Sequence, residues 1–124
     1  MKTGFVLFLI SIASAADAPW SQFRGPNGSG IDSATGYPVE FSPSKNVVWK
    51  AAVPYGQSSP VVAGGHVYLT SSEPAKLLTI CLDAKSGREL WRREIPRTKP
   101  EKIFRANDAA SPTPVASRDA QTAP

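Results

Sequence analysis

The residue types that carry most enzyme chemistry are scarce in this chain, which has one histidine, His66, and one cysteine, Cys81. A nucleophilic site of the Ser-His-Asp or Cys-His kind needs a base beside the nucleophile and a third group that orients it. A metal site needs clustered ligands, and His66 has none at ligand spacing. The sequence therefore predicts no catalytic and no metal site, and we interpret His66 as a surface turn residue.

Four other side chains have both a chemical and a structural interpretation. Asp83 is a candidate calcium ligand or catalytic acid, but its place before a turn favours a turn-stabilising role. Trp49 and Trp91 are candidates for a platform that stacks a sugar or a quinone, but packing between repeats is favoured. Arg24 is a candidate anion ligand, and a structural hydrogen bond within its loop is favoured over that role.

A basic run occupies residues 85–105, where eight basic residues and three acidic residues leave a net charge of +5. Such a surface attracts anionic glycans, lipid head groups or nucleic acid. Because the charges alternate in sign and continue into a loop, we interpret the run as a solvated face. Nucleic acid is not an expected partner of an exported protein.

The N-terminus predicts export. Lys2 precedes an apolar stretch at residues 4–12 that is too short to span a membrane, and residues 13–15 form the small-x-small pattern of a signal peptidase site. We predict a signal peptide at 1–15, with cleavage after Ala18 and an uncleaved anchor as alternatives. The mature chain has no other apolar stretch near the ~20 residues of a spanning helix, so a periplasmic or secreted location is expected. A lone thiol is best protected there by burial, which the apolar neighbours of Cys81 favour.

The rest of the sequence predicts an all-β fold. Turn residues are frequent, with 12 prolines and 9 glycines, and short apolar runs alternate with them. The 77–82 run is apolar on both faces and is expected inside a sheet. Residues 16–46 are expected to be irregular with their aromatic residues packed onto the protein, and 117–124 to be a disordered tail. The predicted strands are 47–53, 59–63, 66–71, 77–82 and 88–95.

Two turns can be predicted from residue type. The Gly64-Gly65 pair supplies positive φ angles and indicates a two-residue hairpin. In the turn after the predicted 77–82 strand, Asp83 can accept hydrogen bonds from backbone amides, and Gly87 can adopt the left-handed conformation.

An internal repeat groups these strands. Residues 47–54 align with 89–96 at an offset of 42, so that Trp49 matches Trp91 and Pro54 matches Pro96. Residues 59–62 resemble 113–116 at an offset of 54. A period near forty with four strands per unit is typical of β-propeller blades, which must bury their apolar faces against neighbours.

The segment Leu82-Asp83-Ala84-Lys85-Ser86-Gly87-Arg88-Glu89-Leu90-Trp91 resembles the repeat of pyrroloquinoline-quinone-repeat-like (PQQ-like) β-propellers, with serine in place of the common threonine. The N-terminal segment is also similar to that of exported bacterial members of this family. Its matching residues are Trp20, Phe23, Arg24, Gly25, Pro26, Asn27 and Gly28.

The resemblance implies how the chain is organised. Residues 47–53 would be a closing strand that completes the last blade of a ring, 58–96 the first whole blade and 107–116 the start of a second blade. The polar residues after 116 depart from the pattern, so a truncated or frame-shifted product, or a fragment, is expected. The remaining blades would then be its partners.

The favoured function is a non-catalytic propeller scaffold that binds protein or carbohydrate at the cell envelope. One alternative is a fragment of a quinone-dependent dehydrogenase, and another is a non-functional truncated product. No cofactor is expected in this chain, because PQQ and calcium belong only to the dehydrogenase alternative.

Overall fold

A computed structural model describes residues 20–99, 102, 104 and 106–117. The predicted signal peptide at 1–15 and residues 118–124 of the predicted tail lie outside the described residues. Within the described ranges, no helix has the length and apolar character needed to cross a bilayer.

Four strands form one antiparallel sheet in which each strand pairs with its neighbours in sequence. They are β1 (Val61–Ala63), β2 (His66–Glu73), β3 (Lys76–Asp83) and β4 (Glu89–Pro96). The interior strands are β2 and β3, and the apolar character of β3 on both faces predicts its interior position. An all-β, four-stranded meander is thus confirmed for residues 61–96, and each strand lies within two residues of its predicted bounds.

The first hairpin has the predicted turn. Ala63 pairs with His66, so the turn consists of Gly64 and Gly65, with φ angles of 56° and 77°. Positive φ at both positions matches the twist of the flanking strands, which is why a glycine pair suits this place.

Alternation along the strands gives the sheet two faces, which we call the front face and the back face. The front face carries Val67, Leu69, Ser71, Leu78, Ile80, Leu82, Arg92 and Glu94. The back face carries Tyr68, Thr70, Leu77, Thr79, Cys81, Trp91, Arg93 and Ile95. A buried cluster of Leu78, Ile80 and Leu82 forms the front-face core, and Trp49 and Ala51 pack against it.

Residues 47–53 differ from their prediction as a strand, because they form no ladder with any described strand. They lie over the front face, where Trp49 and Ala51 are partly buried, whereas Val47 and Val53 are exposed. A strand needs a hydrogen-bonding partner, and this segment packs on the face of the sheet rather than along an edge strand. Its role as the closing strand of a ring stays a prediction.

Ser71 attaches this segment to the sheet. It is fully buried, and its hydroxyl lies 2.7 Å from the Pro54 carbonyl oxygen and 2.9 Å from that of Tyr55. The amide of Ser72 also donates to the Tyr55 carbonyl, at 2.9 Å. Three contacts therefore fix the end of the 47–55 segment against β2.

We expect Ser71→Ala to lower the free energy of unfolding by about 1–3 kcal/mol, because the Pro54 carbonyl loses its hydroxyl donor and the Tyr55 carbonyl keeps only the Ser72 amide. Urea denaturation checks this. Ser72→Ala is the control and should stay within about 0.5 kcal/mol of the wild type, since Ser72 uses its backbone for this contact. Equal effects of the two substitutions would contradict the assignment.

Residues 107–116, predicted to open a second blade, form no strand either. They run beside β2, where Thr70 Oγ1 donates to the carbonyl oxygens of Ala110 and Pro112, at 3.2 and 2.8 Å. This segment covers part of the back face.

Candidate functional site

The turn between β3 and β4 is built by Asp83. Its Oδ1 accepts hydrogen bonds from the Ser86 amide and hydroxyl, both at 2.7 Å, and from the Lys85 amide at 3.1 Å. Gly87 has a φ of 70° and donates its amide to the Asp83 carbonyl at 2.8 Å. Both predicted roles are confirmed, and Oδ1 of the carboxylate is occupied by turn donors.

These bonds, led by the Ser86 hydroxyl, hold the pKa of Asp83 below its usual value of 3.8. Ionised Asp83 therefore stabilises the folded chain fully above the unfolded pKa, and this contribution is lost as the pH falls through the lower folded pKa. We expect the wild type to have a higher urea midpoint than Asp83→Asn, by a constant margin above about pH 5 that shrinks below pH 3.8. A margin that stays unchanged from pH 6 to pH 3 would contradict this account.

Trp49 docks onto this same turn. Its Nε1 donates to the Ala84 carbonyl oxygen at 2.9 Å, and its indole ring lies against Gly87. A Cβ built on Gly87 would come within 2.4 Å of the Trp49 ring. Gly87 is thus required for two reasons, its left-handed backbone and the closeness of the indole.

On the back face, two partly buried aromatic side chains, Tyr68 of β2 and Trp91 of β4, flank the buried Cys81 of β3. Tyr68 pairs with Cys81, which pairs with Trp91, and the Tyr68 and Trp91 ring centroids are 6.0 Å apart. The Arg93 guanidinium lies 5.9 Å from the Trp91 ring centroid. Cys81 is buried as predicted, and burial raises the pKa of its thiol, which keeps it protonated and unreactive.

An apolar cavity of about 190 Å³ lies between the back face and residues 109–112. Leu77, Thr79 and Ile95 line it from the sheet. Small-molecule sites usually measure about 300–1,000 Å³ and contain converging polar groups. The cavity is therefore interpreted as incomplete packing on a partly covered face.

Opposite charges pair along the front-face side of β4. Glu94 Oε1 lies 2.8 Å from Lys76 Nζ, and Glu89 Oε2 lies 2.8 Å from Arg92 Nη2. Glu73 lies within 3.5 Å of Lys76. The Arg92 hydrogen bond lowers the pKa of Glu89. This part of the predicted basic run is a mixed-charge network rather than a surface of one sign.

The N-terminal residues that resemble the family, between Trp20 and Gly28, form a compact loop. Gly25 packs beneath the Trp20 ring, and its amide donates to the Gln22 carbonyl at 2.9 Å. Arg24 Nη2 donates to the Ser29 carbonyl at 3.3 Å, which is a structural contact of the kind favoured from the sequence. Phe23 is 59% exposed, so the prediction that the aromatic residues of this region pack onto the protein is wrong for it. Pro26, Asn27 and Gly28 form a single 3-10 turn.

Residues 31–48 are exposed throughout, and we call them the arm. The predicted packing of residues 16–46 onto the protein is therefore absent in the arm as well. Large apolar side chains of the arm face solvent: Ile31, Tyr37, Val39, Phe41 and Val48. Large exposed apolar side chains in one segment make the arm a candidate interaction site.

Hydrogen bonds connect both copies of the shorter repeat to the N-terminal segment, a feature that sequence reasoning missed. Val62 donates its amide to the Trp20 carbonyl at 2.8 Å, and its repeat equivalent Ala116 donates to the Ser21 carbonyl at 2.9 Å. The Ser59 amide donates to Thr113 Oγ1, its own repeat equivalent, at 3.1 Å. Matching offsets alone could not reveal that the equivalent residues Ser59 and Thr113 are in contact.

His66 begins β2 and is half-buried rather than a fully exposed turn residue. Its Nδ1 is buried without a hydrogen-bond partner, and its ring lies 6.1 Å from Tyr68. Among the described residues, no group of three or more His, Cys, Asp or Glu side chains is arranged to hold a metal ion.

Comparison of the chain with protein-family models, with curated proteins and with solved structures finds no match.

Proposed function

We propose that this chain is a non-catalytic unit of a PQQ-like β-propeller, and that it serves as a scaffold for binding protein or carbohydrate at the cell envelope. The observation that carries the proposal is the docking of Trp49 onto the β3–β4 turn. It supports a specific way in which successive units stack.

The internal repeat indicates how successive units would stack. Residues 47–54 are the sequence equivalent of 89–96, so the segment on the front face stands where β4 of a preceding unit would stand. By the same equivalence, Trp91 would dock onto the turn of a following unit. The back face of each unit then meets the front face of the next, which gives both faces the neighbours that an isolated blade lacks.

The contacts of the shorter repeat support the same arrangement. Val62 and Ala116 occupy equivalent repeat positions and bind successive carbonyl groups of Trp20 and Ser21. Inner strands of adjacent blades converge toward the axis of a propeller. The N-terminal segment is well placed to join two such strands at their start.

The arm supports the binding function. Its apolar side chains include Val39 and Phe41, which are 96% and 70% exposed and flank Glu40 in the sequence. We call the exposed side chains of Val39 and Phe41 the apolar patch, and we expect an envelope protein or the apolar face of a sugar ring to contact it.

Co-sedimentation of the exported protein with purified peptidoglycan and with outer-membrane vesicles tests the scaffold function. We expect binding to one of these fractions, reduced at least about tenfold in the Val39→Ser/Phe41→Ser variant because its apolar patch is lost. Ile95→Ser, an exposed apolar change outside the arm, is the matched control and should bind normally. Thermal unfolding should be the same for all three proteins, since these side chains are exposed.

Absence of binding to both fractions would overturn the scaffold proposal. Titration with pyrroloquinoline quinone and calcium, followed by tryptophan fluorescence, separates the dehydrogenase alternative. Saturable quinone binding would favour that alternative. The downstream reading frame gives an independent check, because further Asp-x-x-x-Gly-x-x-x-Trp units are expected there.

A further inference from the structure

We propose that Trp49 occupies, within its own chain, a docking site that residues 89–96 of a second copy would otherwise fill, and thereby prevents head-to-tail association. The inference rests on the stacking proposed above, in which residues 47–54 and 89–96 are equivalent. It names the partner, because both the site and the competing segment belong to this chain.

The docking site consists of the β3–β4 turn and the front face beside it. It offers the Ala84 carbonyl oxygen as acceptor for an indole N–H, and a glycine at position 87 over which the ring lies. The apolar floor is the buried cluster of Leu78, Ile80 and Leu82. This combination suits a tryptophan better than an aliphatic side chain, because the indole brings both a wide apolar ring and an N–H donor.

Residues 89–96 carry the features that this site accepts. Trp91 matches Trp49, Ile95 matches Val53 and Pro96 matches Pro54. Trp91 is half-buried on the back face, and Ile95 is 60% exposed, so a second molecule can reach both. Docking of one copy's back face on the next copy's front face is a head-to-tail contact, which can repeat into an open chain.

Two features favour the chain's own segment. Residues 47–54 are tethered to the sheet by a short connection, so their effective concentration at the site is in the range of about millimolar or above. Ala51 packs against the front-face core, whereas its equivalent in the competing segment is Arg93. A guanidinium at that place must be held away from apolar side chains, which weakens docking from a second copy.

The Trp49→Ala substitution empties the docking site, and sedimentation velocity at several protein concentrations measures the association that follows. We expect the wild type to sediment as a monomer and Trp49→Ala to form larger species whose size grows with concentration. The double variant Trp49→Ala/Trp91→Ala should return to the monomer, because the competing indole is gone. Trp20→Ala is the matched control: it removes another half-buried indole packed over a glycine, Gly25, and should not associate.

A labelled synthetic peptide of residues 88–97 gives a second measurement on the full chain. It should bind Trp49→Ala at least about tenfold more tightly than the wild type, where the tethered segment competes. A peptide with alanine at position 91 should not bind. If Trp49→Ala does not fold by circular dichroism, Trp49→Phe, which loses the N–H donor and keeps a ring, replaces it in the peptide assay.

A folded variant that stays monomeric and does not bind the peptide would overturn the inference. Association that persists in the double variant would also overturn it, since it would arise from exposed apolar surface in general. Either result leaves the envelope-binding assay unaffected, because that assay uses the wild-type chain and the arm.

Discussion

Gly87→Ala is expected to lower the free energy of unfolding by about 2–5 kcal/mol. An alanine in the left-handed region costs roughly 1–2 kcal/mol, and forcing a methyl group into a filled space adds about 1–3 kcal/mol. Both terms apply here, because Gly87 has a φ of 70° and its added Cβ would lie 2.4 Å from the Trp49 ring. Urea denaturation with far-UV circular dichroism measures the loss.

Gly65→Ala is the matched control for the backbone term. Gly65 has a φ of 77°, and no atom lies within 4 Å of a Cβ built on it. Its substitution should therefore cost only about 1–2 kcal/mol. The difference between the two glycine variants reports the contact between Trp49 and the turn.

A double-mutant cycle with Trp49→Ala isolates that contact further. In the Trp49→Ala background, at protein concentrations low enough for this variant to be monomeric, Gly87→Ala should cost no more than Gly65→Ala does, because the ring that the methyl group meets is gone. Equal costs of the two glycine variants in the wild-type background would show that Trp49 does not press on the turn in solution, and the proposed stacking would lose its main support.

Ile80→Ala is expected to lower the free energy of unfolding by about 2–5 kcal/mol, the range for removing a fully buried aliphatic side chain. Ile80 is 0% exposed and lies at the centre of the front-face core, beneath the 47–55 segment. The cavity that its loss leaves is bounded by the sheet backbone, which cannot close on it. Urea denaturation gives the value.

Ile95→Ala provides the same chemical change on the back face, where the side chain is 60% exposed. We expect an effect within about 0.5 kcal/mol for this chain. In a longer product in which a following unit covers the back face, the same substitution should become distinctly destabilising. A large effect of Ile95→Ala in the present chain would mean that its back face is already covered.

Ile80 and Ile95 lie on opposite faces, and the different effects expected for their substitutions reflect an asymmetry of the sheet. Trp49 and Ala51 cover the front-face core, whereas most of the β4 side of the back face is exposed. Under the proposed stacking, this asymmetry is expected of a unit whose front face is covered by the preceding unit's last strand and whose back face would meet the following unit. The asymmetry is also why loss of Trp49 is expected to produce directional association rather than symmetric pairs.

Some features of the fold and of the candidate site could be predicted from the sequence with little error. The meander followed from apolar alternation, the Gly64-Gly65 hairpin and the turn led by Asp83. The burial of Cys81 followed from its place in a doubly apolar strand. Each of these depends on residues close together in the chain, where residue type limits the backbone directly.

Other features were missed or misplaced. Residues 47–53 have the alternation of a strand but pair with none, and the aromatic Phe23 and the arm are exposed rather than packed. The hydroxyl of Ser71 and the amides of Val62 and Ala116 gave no signal, because serine and alanine occur in almost any environment. Their partners lie 16 to 95 residues away in the chain, beyond the reach of any local pattern.

By itself, then, the sequence determined the four strands, their order and the turns between them, since neighbouring residues select these through backbone preference and apolar period. Only the tertiary structure decided which face the tryptophan segment covers, which side stays open and how the repeat copies meet. Those outcomes depend on long-range contacts, in which an indole, a glycine without a side chain and a free carbonyl group must come together from separate parts of the chain.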